Sequence, residues 1–261
     1  MTLAFAVTLL ALGLLGAFVA GLLGVGGAIV MIPLLLYVPA ALHVGRLDVK
    51  AVTGVTMVQV FVAAASGMIA HRRTRAVHGE LVTIGGVAMA AGSLAGSLAS
   101  KYVSGTFLLV LFALMATAAA GLVLVRMESL ELPIFAEDVR FSRARAALVA
   151  VLVGVGAGFV GAGGAFLLVP LLITVVGVPL RVTIGSSLGI TALAATAGLT
   201  GKILAGQVPW LPALTVAAGA VPGAQIGAYV SRRLRPSFLK GALFTVVVLT
   251  AIGVWWDVLV G

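Results

Sequence analysis

Long uncharged apolar runs dominate the pattern of hydrophobic and polar positions along this chain. Residues 3–37, 104–125, 146–180 and 203–231 contain no Asp, Glu, Lys or Arg. A helix that spans a bilayer needs about 20 predominantly apolar residues, so each run can hold one or two spans. The runs lack the period-two alternation that marks the strands of a membrane β-barrel. The pattern therefore predicts an all-α, polytopic integral membrane protein.

Polar interruptions divide the chain into ten apolar segments, five in each half. In the first half, we expect segments near residues 3–23, 27–45, 51–70, 81–100 and 104–125. In the second half, we expect them near residues 145–160, 164–180, 183–204, 210–231 and 237–257. This division predicts a first membrane repeat at 1–125, a connecting loop at 126–144 and a second membrane repeat at 145–261.

The two halves share a glycine-rich motif, which indicates an internal duplication. GLLGVGGAIVMIPLLL begins at Gly21, and GFVGAGGAFLLVPLLI begins at Gly158, 137 positions later. Pro33 and Pro170 occupy the same place in the two copies, where we expect a structural role. A second block, which starts at Gly54, repeats at an offset of 131 positions.

The charged loops indicate that the two repeats are inverted relative to each other. Lys and Arg collect in cytoplasmic loops, and twelve of the 16 lie in odd-numbered loops if all ten segments cross. The loop after the third segment is rich in Arg and the next is not, whereas the equivalent loops of the second half show the reverse bias. We therefore expect inverted-topology repeats with both termini outside. At the glycine motifs we expect broken or re-entrant helices, and whether these segments cross fully is left open.

The glycine motifs are the first candidate for a substrate site. Glycines break a helix and let the backbone approach a ligand closely. The helix that follows presents unpaired N–H groups and a positive dipole end, which favour an anion. A pair of such breaks in corresponding positions is a pointer to a transporter's binding site, whereas the alternative is that the glycines only allow close helix packing. The candidate substrate-binding glycines are Gly24, Gly26, Gly27, Gly161, Gly163 and Gly164.

Polar side chains near segment ends add further substrate-binding candidates. Thr56, Ser186 and Ser187 lie near the starts of the third and eighth segments. Their hydroxyls can donate to an anion, although such hydroxyls also bond their own helix backbone. His71 and Lys202 are equivalent at the offset of 131. A cation at both places can draw an anion toward the pathway, and the alternative is that both side chains face lipid headgroups.

Composition and charge narrow the function classes. The chain is 62% hydrophobic and 9% charged, whereas soluble domains carry about 25% charged residues. Loop orientation accounts for the net charge of +9 without nucleic-acid binding. There is no cysteine and no acidic residue in the middle of an apolar segment, so we expect no metal, no cofactor and no intramembrane acid–base catalysis. For Gln59 and Gln225, polar residues within apolar segments, we expect interhelical hydrogen bonds.

At these motifs the chain resembles the sulfite exporter TauE/SafE family of bacterial membrane permeases. The two glycine-rich motifs carry the resemblance, together with Gly185-Ser186-Ser187, Gly201-Lys202 and the block from 222 to 227. The resemblance covers nearly the whole chain except the middle loop. The first half departs from the family pattern at residues 54–56, so the two halves would contribute unequally to a site there.

The resemblance implies secondary transport rather than catalysis. The expected substrate is a small anion, sulfite or an organosulfonate such as sulfoacetate, and the expected direction is export across the bacterial inner membrane. The expected partners are this anion and the lipid bilayer, with no nucleic acid; a homodimer is left open. The alternative function is a non-transport structural or assembly subunit in the membrane, whose glycines serve only helix packing.

Overall fold

The computed structural model is all-helical over the residues that it describes, which are 1–23, 27–71, 77–126, 139–231, 233–234 and 236–260. Within helices, the side chains of 67–71, 124–126, 181, 236–237, 240 and 260 lie outside the described set. The described residues form α1 Leu3–Leu23, α2 Ala28–Ala41, α3 Val49–His71, α4 Gly79–Ala99, α5 Gly105–Arg126, α6 Arg143–Val160, α7 Ala165–Leu171, α8 Leu180–Leu204, α9 Trp210–Ser231 and α10 Pro236–Val260. A 3₁₀ turn, Ser100–Tyr102, follows α4, and a π-helical turn, Leu172–Val176, follows α7. Each of the ten apolar segments expected from the sequence contains one of these helices.

The helices differ in their capacity to cross a bilayer. Among the described residues, eight helices are long and apolar enough to span a membrane. Two apolar helices are shorter, α2 and the segment Ala165–Val176. At 14 residues, α2 is about 21 Å long, whereas the hydrocarbon core of a bilayer is about 30 Å thick. The chain is therefore a multi-pass membrane protein, and α2 and the segment Ala165–Val176 are shorter than its candidate spans.

Short-range sequence signals explain where several helices begin and end. His78 Nδ1 accepts a hydrogen bond from the Leu81 N–H at 3.2 Å and caps the start of α4. Ser142 Oγ caps α6 in the same way through the Arg145 N–H. Helix ends near a membrane need such partners because the hydrocarbon region offers no water to free backbone groups.

Rows of glycine bring α1 and α9 into backbone contact. A Cβ on any of these glycines would collide with the main chain of the opposite helix. Small residues allow this approach, which maximises van der Waals packing where lipid removes the hydrophobic driving force between helices. Residues farther along α1 contact residues farther along α9, so the two helices run parallel. The pairs are Gly13 with Val216, Gly219 with Leu10, Gly223 with Leu14 and Gly227 with Phe18.

The repeat-equivalent helices, α6 and α4, pack in the same parallel fashion. Four glycines again meet the backbone of the opposite helix, Gly92 at Val151, Gly96 at Val155, Gly154 at Met89 and Gly158 at Ser93. The first half thus contributes α1 to one close pair and α4 to the other. The glycines of these four helices serve close helix packing.

The interior of the bundle is built on α3 and α8, which run antiparallel. Thr53 near the start of α3 bonds Lys202 near the end of α8. One turn farther along α3, the side chain of Met57 lies against Gly198. In contrast, α5 and α10 pack against each other, and Trp255 Nε1 of α10 donates to Thr117 Oγ1 of α5 at 2.9 Å.

Candidate functional site

Left-handed backbone explains why glycine occupies the helix breaks. Gly161 ends α6 with φ 73°, and Gly163 and Gly164 follow with φ 61° and 68°. Gly27, immediately before α2, has φ 74°. An L-residue with a side chain pays about 1–2 kcal/mol to adopt this conformation. The other two candidate glycines of the first motif, at positions 24 and 26, lie outside the described residues.

Both helix breaks contact α3 in the interior of the bundle. A Cβ on Gly163 would collide with the side chain of Val60 and would lie 3.2 Å from Cγ2 of Thr191. A Cβ on Gly27 would lie 3.2 Å from Nε2 of Gln59. Because Gln59 and Val60 are neighbours in α3, this helix brings the two glycine breaks toward one region.

The two prolines disturb the hydrogen bonding of the short helices. A proline has no N–H, so the carbonyl four residues earlier loses its helical partner. For Pro33, that carbonyl belongs to Ile29, and it accepts a hydrogen bond from Thr250 Oγ1 of α10 at 3.1 Å. Pro170 lies just before the π-helical turn, and its own carbonyl accepts from Thr174 Oγ1 at 2.8 Å.

Lys202 is completely buried within a cluster of oxygen atoms at one end of the bundle. Its Nζ donates to Thr53 Oγ1 at 3.0 Å, Ser100 Oγ at 2.9 Å, the Phe159 carbonyl at 3.0 Å and Gln207 Oε1 at 2.9 Å. These partners come from α3, the end of α4, the end of α6 and the chain after α8. We call these five residues the lysine cluster.

The backbone supplies part of the charge balance in the lysine cluster. The C-terminal ends of α4, α6 and α8 meet there, and such ends carry a partial negative charge that stabilises a cation. Among the described residues, no carboxylate lies within 4.0 Å of Lys202. Glu80, by comparison, pairs with Arg143 in an exposed position. The hydrogen-bond partners of Lys202 Nζ are therefore neutral oxygens rather than carboxylates.

Gln207 adds a free donor beside this cation. Its Oε1 binds Lys202 and Ser100, whereas its Nε2 is buried without a hydrogen-bond partner among the described residues. A buried amide N–H without an acceptor is costly. The cluster thus offers an anion one charged donor and one unused neutral donor, side by side.

The structure positions this cluster next to the second glycine break. A Cβ on Gly161 would collide with the carbonyl of Thr53, and Gly54 is equally close to the carbonyl of Gln207. Glycine at these two positions lets α6 and the chain before α9 reach α3. Of the candidates from the sequence, Lys202 and Gly161 are therefore brought together.

The predicted hydroxyls lie elsewhere along the same two helices. Ser186 and Ser187 are buried in the first third of α8, about 22–24 Å of helix rise away from Lys202. Ser186 Oγ accepts the His78 N–H at 3.0 Å, and Ser187 Oγ donates to the Ile184 carbonyl. Thr56 Oγ1 donates to the carbonyl of Val52 at 2.8 Å within its own helix. The side chain of His71 lies outside the described residues.

Sequence reasoning did not select Thr53, Ser100 and Gln207 as site residues. Thr53 and Gln207 have no polar counterpart in the other repeat, since Ile184 and Ala76 occupy the positions at the 131 offset. Ser100 does recur, as Ser231. That recurrence was the one available signal, because the partners of Lys202 come from segments distant in the chain.

A cavity of about 540 Å³ lies elsewhere, between α5 and α10. Its lining is almost entirely apolar, with Trp255 and Trp256 among the residues that form it. The hydroxyl of Thr117, which also lines it, is engaged by Trp255. The apolar lining of this cavity suits hydrocarbon rather than an anion.

Among the residues that the structure describes, eight long apolar helices, two short helices next to glycine breaks and a buried polar cluster define a multi-pass membrane protein. Residues 9–254 match the family described as sulfite exporter TauE/SafE, and the chain belongs to this family. It is 33% identical over 250 residues to a probable membrane transporter protein of Xylella fastidiosa strain Temecula1, with 94% of the chain and 92% of the relative covered. It is 24% identical over 259 residues to the probable membrane transporter protein YunE of Bacillus subtilis strain 168, with 93% and 94% covered. The chain matches no solved structure.

Proposed function

We propose that this chain exports a small sulfur oxyanion, sulfite or an organosulfonate such as sulfoacetate, across the bacterial inner membrane. The observation that carries the proposal is Lys202, a fully buried cation without a carboxylate partner among the described residues. Ionisable groups within membrane segments are costly and mark substrate or ion pathways. The family to which the chain belongs supports sulfite as the type of substrate.

The lysine cluster has the chemistry that an oxyanion needs. The oxygens around Lys202 Nζ are neutral, so they satisfy its donors without cancelling its charge. An arriving sulfite or sulfonate oxygen can replace one of these acceptors and form a stronger charge-assisted hydrogen bond. The unused Nε2 of Gln207 can donate to a second oxygen of the same anion.

The membrane potential is sufficient to drive export of an anion. Moving one negative charge out of a negative-inside cell is downhill by about 2.3 kcal/mol per 100 mV. The acidic residues within the described segments lie near helix ends, as Glu80 and Asp257 do. We therefore propose export without a coupling cation.

We further propose that the two halves are inverted-topology repeats. The antiparallel course of α3 and its equivalent α8 supports this arrangement, as do the parallel pairs that each half forms with the other. The loop charges support a cytoplasmic position for the Arg-rich ends. Lys202, at the opposite end of α8, then lies toward the external face, where it would hold an anion before release.

In this arrangement α2 and α7 are re-entrant half-helices. Gly27 lies beside Gly16, within α1 rather than at its end, and Gly45 after α2 lies against Phe5 near the start of α1. The chain therefore returns toward the face from which α1 started after entering only part of the membrane. Each break would expose its glycines at an intermediate depth.

Flux through proteoliposomes tests the proposed function. We expect the wild-type protein to carry radiolabelled sulfite or sulfoacetate, faster when a potassium diffusion potential makes the sulfite-loaded side negative. Lys202→Met should lower this flux at least about tenfold, because a lost charge-assisted hydrogen bond is a tenfold effect or more. Lys101→Gln is the matched control, since Lys101 lies exposed beyond the end of α4.

Two results would contradict the proposal. One is a folded wild-type protein that carries none of the sulfur anions. The other is a Lys202→Met variant that transports as fast as the wild type. That result would give Lys202 only a structural role, joining helices through hydrogen bonds. Size-exclusion profiles and thermal unfolding in detergent establish folding for each variant.

A further inference from the structure

We propose that the Gln59 carboxamide and the Thr191 hydroxyl bind the translocated anion in the middle of the membrane, one at each glycine break. This inference rests on the proposed function and extends its site from the lysine cluster into the centre of the bundle. It assigns substrate contact to two residues that the repeat and the glycine motifs do not single out.

Both side chains are buried and lack partners among the described residues. Gln59 and Thr191 are each 0% exposed. Neither Nε2 nor Oε1 of Gln59 has a hydrogen-bond partner, and neither does Oγ1 of Thr191. Buried polar groups are nearly always paired, and the hydrocarbon region supplies no water in their place. Packing alone therefore gives no reason for an amide and a hydroxyl at these positions.

The two side chains lie at the helix breaks rather than at arbitrary points of the core. Nε2 of Gln59 lies 3.2 Å from the place that a Cβ on Gly27 would take. Gly27 precedes α2, a 14-residue helix without a side-chain N-cap, whose first N–H groups have no partner within the helix. At the other break, the Cγ2 methyl of Thr191 lies 3.2 Å from the place that a Cβ on Gly163 would take, so its buried hydroxyl lies beside this break. An anion at the first break would meet the Gln59 amide and the backbone donors at the start of α2, and an anion at the second break would meet the Thr191 hydroxyl.

The depth of these residues completes a route to the lysine cluster. Gln59 lies near the middle of the 23-residue α3, and Thr191 near the middle of the 25-residue α8. Lys202 lies about 16 Å of helix rise beyond Thr191, and Thr53 about 9 Å from Gln59. The polar groups of Gln59 and Thr191 thus form an intermediate binding site between the cytoplasmic half of the bundle and Lys202.

The neutral donors of Gln59 and Thr191 also suit an anion that must bind and then be released, rather than one that is bound tightly. A second fixed cation in the centre would hold the anion strongly and slow its release. Amide and hydroxyl donors give weaker and directional bonds. The attraction then rises from the middle of the bundle toward Lys202.

The decisive variants remove the polar atoms while preserving side-chain size. Gln59→Leu and Thr191→Val should fold with a melting temperature equal to or above that of the wild type, since each removes an unpaired buried group. Sulfite flux should fall about 10- to 100-fold, the range expected for loss of one hydrogen bond to a charged ligand. The matched controls are Gln225→Leu and Thr196→Val, at exposed positions in α9 and α8, which should keep wild-type flux.

The opposing outcomes separate this inference from the proposed function. Normal flux in Gln59→Leu and Thr191→Val, with flux still lost in Lys202→Met, would overturn the inference alone. A fall in melting temperature greater than in the controls would also overturn it, because it would assign the two side chains to the packed core. A wild-type protein that neither carries sulfite nor gains thermal stability from it would overturn the inference and the proposed function together.

Discussion

At the scale of single residues, Lys202 illustrates how a membrane segment can bury a lysine without an acidic partner among the described residues. Its ammonium group is surrounded by neutral oxygens and by the carbonyl ends of helices, which lower the cost of desolvation. The repeat identified Lys202 from the sequence. Its partners Thr53, Ser100 and Gln207 could not be assigned, because each belongs to a different segment and only folding brings them together.

Gly161 provides a stability prediction at the same scale. Gly161→Ala should destabilise the protein by at least about 2 kcal/mol, because the left-handed backbone costs about 1–2 kcal/mol and the new Cβ collides with the Thr53 carbonyl. Thermal unfolding in detergent measures the effect. Gly121→Ala is the control, since an added Cβ there meets no described atom within 4 Å. Equal melting temperatures for the two variants would contradict this account of the break.

At the scale of elements, helix positions follow from the apolar pattern, whereas helix pairing does not. The segment expected at 3–23 matches α1, and the segment at 210–231 matches α9. Their parallel contact depends on which face carries the glycines of each helix and on the course of the seven helices between them. For Gln59, the sequence predicted an interhelical hydrogen bond, and the described structure contains none. A hydrogen bond requires a particular neighbour, and residue type alone does not specify one.

The contact between α1 and α9 is testable through its glycines. Gly227→Val should lower the melting temperature by an amount that corresponds to about 1–3 kcal/mol, because the side chain would overlap the backbone of Phe18. Gly253→Val is the control, in a helix position where an added Cβ meets no described atom within 4 Å. Both variants carry the same change in helix propensity, so their difference measures packing. A larger effect at Gly253 would argue against the close pair.

At the scale of the whole molecule, charge distribution and internal contacts lead to the same proposed topology. The loop charges are a property of the sequence, and the antiparallel course of α3 and α8 is a property of the fold. The two lines of reasoning are independent, and each favours inversion of the second half. The number of helices alone does not decide whether the second half is inverted, because α2 and α7 are too short to be counted as complete spans.

Labelling of single cysteines tests the topology, since the natural chain contains none. Thr74→Cys and Leu234→Cys should both react with a membrane-impermeant maleimide only from the cytoplasmic side. Ser104→Cys, in the loop after α4, should react only from outside. Reaction of positions 74 and 234 from opposite faces would rule out the inverted arrangement, because equivalent helix ends would then point the same way.

The sequence by itself determined that this protein is a multi-pass helical membrane protein, where its ten apolar segments lie and that glycines break the chain between α6 and α7. These features depend on local chemistry: the length of an apolar run, the backbone freedom of glycine and the missing N–H of proline. Only the tertiary structure decided that Lys202 is buried among oxygens from four other segments, and that Gln59 and Thr191 lie at the two breaks without hydrogen-bond partners in the described part of the chain. Contacts between distant segments depend on how whole helices are oriented and rotated against each other, and a linear pattern does not specify those rotations.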